Sequence, residues 1–303
     1  MKHDQILKKL DVPTGVVDVI LDTDAYNEVD DQYAIAYMFL SPERINVLGL
    51  CAAPFFNSLS TSPEDGMNKS YDEILRLLAL MDRSVDVYRG STNYLEDEKT
   101  PVISPAAQDL STRAKQYSPE KPLYVIAIGA ITNVASALLL DPSIAENTVI
   151  IWLGGHASHF HDTKEFNMMQ DVAAARVVMQ SGAPLVQLPC NGVVSSFTVS
   201  KPELEHWLVG KNKLADYLAQ NAIAEAESDA AGTAWTRCIW DVTAVAWLMN
   251  DGERFMLSST QPPHMPTYGH KYESVMGGEA QRHVYFIHRD ALMTDLIHRI
   301  IDR

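Results

Sequence analysis

The sequence VILDTDAYNEVDDQYAIAYMFL, residues 19–40, joins an apolar run to a helical pattern through an acidic turn. The apolar run predicts a buried strand, and the pattern after Val29 predicts a helix. Five acidic side chains lie within ten residues of this stretch: Asp22, Asp24, Glu28, Asp30 and Asp31. Because like charges repel, such a group requires either open water or a bound cation.

Short apolar runs rich in β-branched residues recur along the chain, as expected of strands buried on both faces. They predict strands at 16–21, 45–51, 123–128, 148–153, 184–188 and 283–287. Helical patterns cover 30–40, 69–81, 132–140, 171–181, 202–227, 239–249 and 290–301. The alternation predicts an α/β fold with a doubly wound, mainly parallel sheet flanked by helices, in a single domain over residues 1–303.

The segments without such patterns are predicted to be loops. Residues 54–68 form a longer loop than packing needs, and loops of this kind often border a binding site. Residues 262–269 form a second predicted loop, and Gly277-Gly278 predicts a turn.

The composition excludes several classes of partner. The formal net charge is −15, from 39 acidic and 24 basic residues, which predicts no broad cationic face for nucleic acid or an anionic membrane. Cys51, Cys190 and Cys238 are odd in number and lack a C-x-x-C spacing, so they are interpreted as reduced, buried thiols. No targeting segment or membrane span is apparent, and a cytoplasmic location is expected.

The acidic turn is placed where ligands bind in this class of fold. Asp22 and Asp24 lie at the carboxyl end of the first predicted strand, which is the binding edge of an open α/β sheet. Asp30 or Asp31 alone is explained by capping of the next helix. The whole D-T-D-x5-D-D group is not, and several hard oxygen ligands at one point indicate Ca²⁺ or Mg²⁺, with the flexible loop favouring the larger ion.

Three further motifs follow predicted strands or open helices. IAIGAITN (126–133) and LGGH (153–156) each end a strand with glycine, although either glycine is also consistent with an ordinary turn. The third motif places Asp241 at the start of a very apolar helix. Burying a carboxylate without a partner costs on the order of several kcal/mol, so Asp241 needs a partner such as a shared cation.

Together these residues resemble the inosine-uridine preferring nucleoside hydrolase family. VILDTDAYNEVDDQYAI resembles that family's D-x-D-P-G-x-D-D loop but is two residues longer. IAIGAITNVA, LGG followed by KEFNMMQDVAAA, and CIWDVTAVAW resemble its next three motifs in the same order. The resemblance covers about residues 16–248.

The resemblance implies hydrolysis of a ribonucleoside N-glycosidic bond by activated water at a Ca²⁺ site. The matches to the calcium ligands are Asp24, Asp31, Asp241 and the main-chain carbonyl of Ile128. The matches to ribose-binding positions are Asp30, Asn57, Glu165 and Asn167. Asp24 also matches the general base, and Asp22 matches an acid that supports the metal loop. The family further implies a small-molecule riboside or sugar substrate and a homo-oligomer, either dimer or tetramer.

The chain departs from the family pattern at the leaving-group position. Purine-cleaving members carry a histidine immediately before the helix acid, and here that residue is Trp240, whose indole has no useful acidity. His156, His159 and His161 lie in the segment from which the family contacts the base and the 5′-hydroxyl, and His156 and Trp240 are taken as substrate-binding candidates. Their spacing allows a second metal site, but a solvent-facing loop is the favoured interpretation.

Other functions remain open on the sequence alone. An enzyme of the same fold acting on a non-nucleoside glycoside would use Trp240 as a stacking platform. A non-catalytic sugar or nucleoside binder would keep the ion and the pocket without turnover. A calcium ion that only supports the fold would not require Glu165 and Asn167 beside it, which favours the enzyme.

Overall fold

A computed structural model describes residues 3–275 and 278–302, so Gly277 of the predicted turn lies outside the described residues. The strands are β1 Val17–Thr23, β2 Ile45–Ala52, β3 Asp86–Arg89, β4 Leu123–Ala127, β5 Thr148–Leu153, β6 Leu185–Leu188, β7 Thr198–Val199, β8 Arg237–Cys238, β9 Met256–Gln261, β10 His264–Pro266, β11 Tyr272–Ser274 and β12 Gln281–Ile287. The helices are α1 His3–Lys9, α2 Asp30–Phe39, α3 Pro63–Met81, α4 Pro105–Ala114, α5 Thr132–Leu140, α6 Phe166–Gln170, α7 Val172–Gln180, α8 Lys201–Trp207, α9 Lys213–Asp229, α10 Val242–Trp247 and α11 Arg289–Ile301.

The central sheet has eight strands in the order β3-β2-β1-β4-β5-β6-β12-β9. Every neighbouring pair is parallel except β12 and β9. The chain winds outward from β1 to β3 and then returns to β4 on the other side of β1. The strand order therefore reverses between β1 and β4, and a crevice at their carboxyl ends is the expected ligand site.

Alternate residues of the inner strands pack into two apolar layers, one on each face of the sheet. Leu21 and Ile126 belong to one layer, and Ile20 and Val125 belong to the other. This burial on both faces explains why the strands are continuous apolar runs. The predicted doubly wound, mainly parallel sheet flanked by helices is confirmed.

Several predicted boundaries are wrong. The predicted loop 54–68 is too long, because α3 begins at Pro63, and Ser62 accepts a capping hydrogen bond from the main-chain N–H of Asp65 (3.1 Å). The first six residues of this helix, at 63–68, contain one large hydrophobic side chain and so show no hydrophobic pattern, whereas the Ser-Pro cap marks the helix start. The predicted helix 202–227 is two helices, α8 and α9, with Gly210 at φ +79° between them.

Other differences lie nearer the carboxyl terminus. The apolar helix predicted at 239–249 is shorter than expected: α10 spans Val242–Trp247, and Asp241 is its N-cap. The predicted loop 262–269 contains β10, which pairs with β11 in an antiparallel hairpin. The prediction of three unbridged, buried cysteines is confirmed. In the described part of the chain no helix combines the length and apolarity needed to cross a membrane.

Candidate active site

The acidic turn lies at the reversal point of the sheet. β1 ends at Thr23 and α2 begins at Asp30, and the main-chain N–H of Ile128 donates to the carbonyl of Asp22 (2.8 Å), which ties the ends of β1 and β4 together. Asp241 reaches the same point from the other half of the chain, because α10 packs against α2. Each of the aspartates at 22, 24, 30, 31 and 241 is at most 3 % exposed.

Three of these carboxylates form a compact cluster. One oxygen each from Asp30, Asp31 and Asp241 lies within 4.8 Å of the other two. The hydroxyl of Thr23 donates to Oδ1 of Asp31, which orients that carboxylate. Burial, followed by repulsion from the neighbouring acids, raises the pKa of Asp241 well above its ordinary value, and burial raises the pKa of Asp31 to about 7.

Asp24 lies beside this cluster and over the turn after β4. A Cβ placed on Gly129 would lie 3.0 Å from Oδ1 of Asp24, so the glycine is what lets the two segments approach. Oδ2 of Asp24 and Oδ1 of Asp30 are buried without a hydrogen-bond partner. Burial, followed by repulsion from Asp31 and Asp30, raises the pKa of Asp24 well above its ordinary value.

Asp22 supports the turn from below. Its Oδ1 accepts from Nδ2 of Asn133 (2.7 Å), and the same amide nitrogen donates to the carbonyl of Ala52 (3.1 Å). Oδ1 of Asn133 in turn accepts from the main-chain N–H and the hydroxyl of Ser91 (2.7 and 2.8 Å). Burial raises the pKa of Asp22 to about 7, and the Asn133 hydrogen bond acts in the opposite direction. Asn133 therefore connects β1, β2 and the loop after β3.

Four of the five aspartates, all except Asp22, form the floor of a cavity of about 240 Å³. The predicted site residues that line it together with Asp24, Asp30, Asp31 and Asp241 are Ile128, His156, Glu165, Asn167 and Trp240. Asn57 does not line this cavity. It lines an adjacent cavity of about 500 Å³, and its Nδ2 donates to Oδ1 of Asn27 (2.7 Å), a residue that lines both cavities.

Glu165 and Asn167 are fixed by the start of α6. The Glu165 carboxylate accepts the main-chain N–H groups of Asn167 (2.9 Å), Met168 (2.9 Å) and Gly155 (2.8 Å), so it caps the helix and holds the glycine turn. Nδ2 of Asn167 donates to the carbonyls of Ile128 (3.2 Å) and Leu153 (3.1 Å). The two side chains therefore form a rigid wall beside the acidic floor.

The three predicted loop histidines have different surroundings. His156 is 7 % exposed, whereas His159 and His161 are exposed, so a solvent-facing position is wrong for the first and right for the other two. Within residues 3–275 and 278–302, the only group with metal-ligand spacing is the aspartate cluster, which gives a histidine metal site no support.

The β10–β11 hairpin holds this histidine segment in place. The hydroxyl of Tyr272 donates to the carbonyl of His156 (2.8 Å), and the main-chain N–H of Thr163 donates to the carbonyl of His270 (3.1 Å). A Cβ on Gly155 would lie 2.3 Å from the Tyr272 hydroxyl. The cavity wall thus depends on a hairpin that the sequence pattern did not predict.

Two polar residues at the site were missed. Arg237 forms ion pairs with Glu225 and with Glu28 (3.4 Å), which partly balances the acidic turn, but its sequence context shows no periodicity that marks it. Asn191 lines the cavity three residues after β6. Its position at the carboxyl end of a predicted parallel strand was an available signal.

The aspartate cluster fits a divalent cation. Its ligand atoms are all hard oxygens, two buried carboxylate oxygens lack partners, and no lysine or arginine side chain bonds to Asp24, Asp31 or Asp241 among the described residues. Like-charged carboxylates this close and this buried require protons or a cation. Asp24, Asp31 and Asp241 are the side chains that would hold it, with the Asp30 carboxylate beside them.

Comparison with known proteins identifies the class that this fold and site define. A model of the family "Inosine-uridine preferring nucleoside hydrolase" matches residues 19–283. The chain belongs to the inosine-uridine preferring nucleoside hydrolase family. The family and the relatives below indicate a hydrolase of glycosidic bonds, and family membership supports cleavage of ribonucleoside N-glycosidic bonds.

Relatives of known name agree with this family. The chain is similar to a probable uridine nucleosidase 2 of Arabidopsis thaliana (26 % identity, 67 % of each chain). It is also similar to the non-specific ribonucleoside hydrolase RihC of Salmonella enteritidis PT4 (24 % identity, 81 % of this chain and 82 % of the relative). The fold matches a purine-preferring ribonucleoside hydrolase from Gardnerella vaginalis with a TM-score of 0.76 (20 % identity, 94 % of this chain and 98 % of that one).

Proposed function

We propose that the protein hydrolyses the N-glycosidic bond of a ribonucleoside or a related riboside in a Ca²⁺-dependent reaction. The observation that carries the proposal is the buried cluster of Asp30, Asp31 and Asp241, whose oxygens lie within 4.8 Å of one another under a cavity of about 240 Å³. Asp24, Asp31, Asp241 and the carbonyl of Ile128 are the proposed ligands. Three carboxylates and a carbonyl, all supplied by the protein, suit Ca²⁺ better than Mg²⁺, which usually keeps several waters.

The residues of the chain divide the proposed reaction between them. Asp24 takes the proton of the attacking water, because its Oδ2 is buried without a hydrogen-bond partner and can accept that proton. When bound, the cation supplies Lewis acidity that eases deprotonation of water. Asp22 holds the turn that carries Asp24. The buried negative charge of the floor stabilises the positive charge that develops on the sugar.

The walls of the cavity orient the substrate. Asp30, Glu165 and Asn167 contact the ribose hydroxyls in this proposal, and Asn57 reaches the sugar only from the adjacent cavity. Trp240 and His156 lie on the walls above the floor, where the base binds. Since water attacks directly and no covalent nucleophile is needed, inversion at the anomeric carbon is expected.

The test is a riboside panel with the purified protein. The protein is incubated with each of inosine, uridine, cytidine, adenosine and nicotinamide riboside, in excess Ca²⁺ and in EGTA. The release of ribose is followed as reducing sugar. Turnover with Ca²⁺ that EGTA abolishes supports the proposal. Silence across the panel at full calcium occupancy contradicts riboside hydrolysis and leaves a hydrolase of other glycosides or a non-catalytic binder. Turnover unaffected by EGTA contradicts the cation's role.

A second candidate is hydrolysis of a non-nucleoside glycoside in carbohydrate metabolism. The half-buried indole of Trp240 in the cavity wall favours it, since an aromatic face stacks on a sugar ring as well as on a base. A broad panel of aryl glycosides with different sugars separates the two: preference for ribosides supports the first function, and preference for another sugar supports the second.

Three broader proposals accompany the function. The free, buried thiols suit a reducing compartment, so we place the protein in the cytoplasm. We also propose that residues 1–303 form one domain and that the chain assembles as a dimer or tetramer, as the family resemblance implies. Sedimentation equilibrium across a hundredfold range of concentration tests the assembly, and a monomer throughout contradicts it.

A further inference from the structure

Trp240 occupies the position of the leaving-group acid but cannot protonate the departing base. Another side chain must therefore assist the base as it leaves. A base that leaves its sugar carries away the electron pair of the glycosidic bond, so a hydrogen-bond donor that meets this charge lowers the barrier. Indole donates a hydrogen bond but does not release a proton. The inference that follows rests on the proposed riboside hydrolysis.

His156 is a donor held on the cavity wall by its surroundings. The main-chain N–H of Asn191 faces Nδ1 of the ring at 3.4 Å, so Nδ1 accepts and the hydrogen of the neutral ring lies on Nε2. Phe160 packs against the imidazole with a centroid separation of 5.2 Å. Burial lowers the pKa of His156, which keeps the ring neutral near pH 7.

The backbone that carries His156 is also pinned on both sides. The carbonyl of Gly155 accepts from the N–H of Cys190 (2.8 Å), and the N–H of Ala157 donates to the carbonyl of Asn191 (3.0 Å). The Tyr272 hydroxyl adds the third bond, to the carbonyl of His156 (2.8 Å). A donor fixed in this way requires no reorganisation as charge develops, which is the condition for electrostatic assistance.

Lys164 is a cationic donor of the same wall, but it is less suited to this role than the neutral His156. Lys164 lines the same cavity, but it is exposed, and a flexible, hydrated ammonium loses more entropy on ordering than a packed imidazole. The exposed histidines at 159 and 161 do not line the cavity. Of these three histidines, His156 is therefore the one in a position to meet the departing base.

We propose that Nε2–H of His156 donates a hydrogen bond to the departing base and so stabilises the leaving group. The C1′–N bond breaks and its electron pair goes to the base, while the oxygen of water bonds to C1′ and its proton goes to Asp24. The base anion, held by the Nε2–H hydrogen bond, then takes a proton from solvent, and Asp24 returns its proton to solvent. Riboside and water give ribose and free base.

The experiment compares two leaving groups. The variants are His156→Phe, which keeps the packing but removes the donor, His156→Gln, which keeps a donor, and His159→Phe as the exposed control. Each is assayed on the fastest nucleoside of the panel and on p-nitrophenyl β-D-ribofuranoside, whose phenolate leaves without assistance. Melting temperatures establish that the variants are folded. If His156→Phe does not fold, His156→Ala is used in its place.

We expect His156→Phe to lower kcat on the nucleoside about 100-fold and on the aryl riboside less than about threefold. His156→Gln recovers part of the nucleoside activity, and His159→Phe changes neither. An equal loss on both substrates places His156 on the ribose side and overturns the inference while leaving the proposed function intact. A wild-type protein that cleaves the aryl riboside but no nucleoside also overturns it, and one that cleaves neither overturns the proposed function as well.

Discussion

The main-chain N–H of Asp241 donates to Oδ2 of Asp30 at 3.3 Å, although 211 positions separate the two residues in the sequence. This bond joins the start of α10 to the start of α2 and brings carboxylates from distant segments into one buried group. The positive ends of two helices therefore meet at the floor of the cavity, where they offset part of the negative charge. The remaining repulsion is what a cation relieves.

Asp24→Asn tests whether the acidic site is catalytic or only supports the fold. We expect kcat to fall about 10²–10⁴-fold, because the amide does not accept the proton of the attacking water. In EGTA the melting temperature should stay the same or rise, since one buried like charge is removed. Reducing-sugar assays and thermal melts measure the two effects, and Asp72→Asn on the exposed face of α3 is the control. A lowered melting temperature with turnover retained would show that the ion only supports the fold.

The acidity of the cluster makes calcium binding depend on pH. In the metal-free fold, burial raises the pKa of Asp31 and of Asp22 to about 7, above the ordinary 3.8. The folded state then holds protons that the unfolded chain releases, so its stability falls as the pH rises from about 4 to about 7. A cation displaces the proton of each acid that binds it, Asp31 among them, and its affinity should rise by about tenfold per pH unit for each proton displaced.

Calorimetry in buffers of different ionisation enthalpy counts those protons. We expect a lower dissociation constant for Ca²⁺ at pH 8 than at pH 6. In the Asp31→Asn variant the difference between the two pH values should be smaller. Melts in EGTA should show the opposite trend, with these groups stabilising the metal-free protein more at the lower pH. A dissociation constant that does not change with pH would contradict the assignment of the acids to the ion.

Gly129→Ala tests the contact between the turn after β4 and Asp24. The new methyl group would lie 3.0 Å from Oδ1 of Asp24 and 3.1 Å from Cβ of Ala53, so the catalytic carboxylate must shift. We expect kcat/KM to fall about 100-fold, the order of loss that a misplacement of about 1 Å causes. Gly269→Ala is the matched control, because its nearest neighbour, the Thr267 hydroxyl, lies 3.7 Å away. Equal activities of the two variants would refute the close approach.

Asn133→Ala tests the support of the acidic turn. The change leaves Oδ1 of Asp22, the carbonyl of Ala52 and the N–H of Ser91 without their buried partner. We expect the free energy of unfolding in urea to fall by about 3 kcal/mol. Asn46→Ala removes a similar 2.7 Å bond to Asp18 at the surface and should cost less than about 0.5 kcal/mol. Similar losses in both would contradict a special role for the buried amide.

Tyr272→Phe tests whether the β10–β11 hairpin positions the cavity wall. Loss of the hydroxyl removes the 2.8 Å bond to the carbonyl of His156, at about 1 kcal/mol of stability, and loosens the segment that precedes Glu165. We expect KM for the riboside to rise about fivefold, on the order of one weakened binding contact. Tyr268→Phe in the same hairpin loses an exposed bond to Glu98 (3.0 Å) and should leave KM unchanged. Unchanged kinetics in both variants would show that the hairpin does not act on the site.

The sequence alone was enough to predict six strands of the central sheet, the order of the motifs and the position of Asp22 and Asp24 at the carboxyl end of β1. These features are local: a strand buried on both faces must be apolar throughout, and the residues after it must lie at the binding edge of a parallel sheet. The buried acid at the start of α10, Asp241, was also detectable, because a carboxylate in an apolar sequence needs a partner.

Only the tertiary structure decided which side chains share the cavity. The 240 Å³ cavity includes His156 and Asn191, while Asn57 lies in the adjacent cavity beside Asn27. No periodicity of a loop determines whether its side chain is buried, because burial there depends on segments that arrive from elsewhere in the chain. The hydroxyl of Tyr272 reaches His156 across 116 positions, and such a contact exists only once the sheet has brought both ends together.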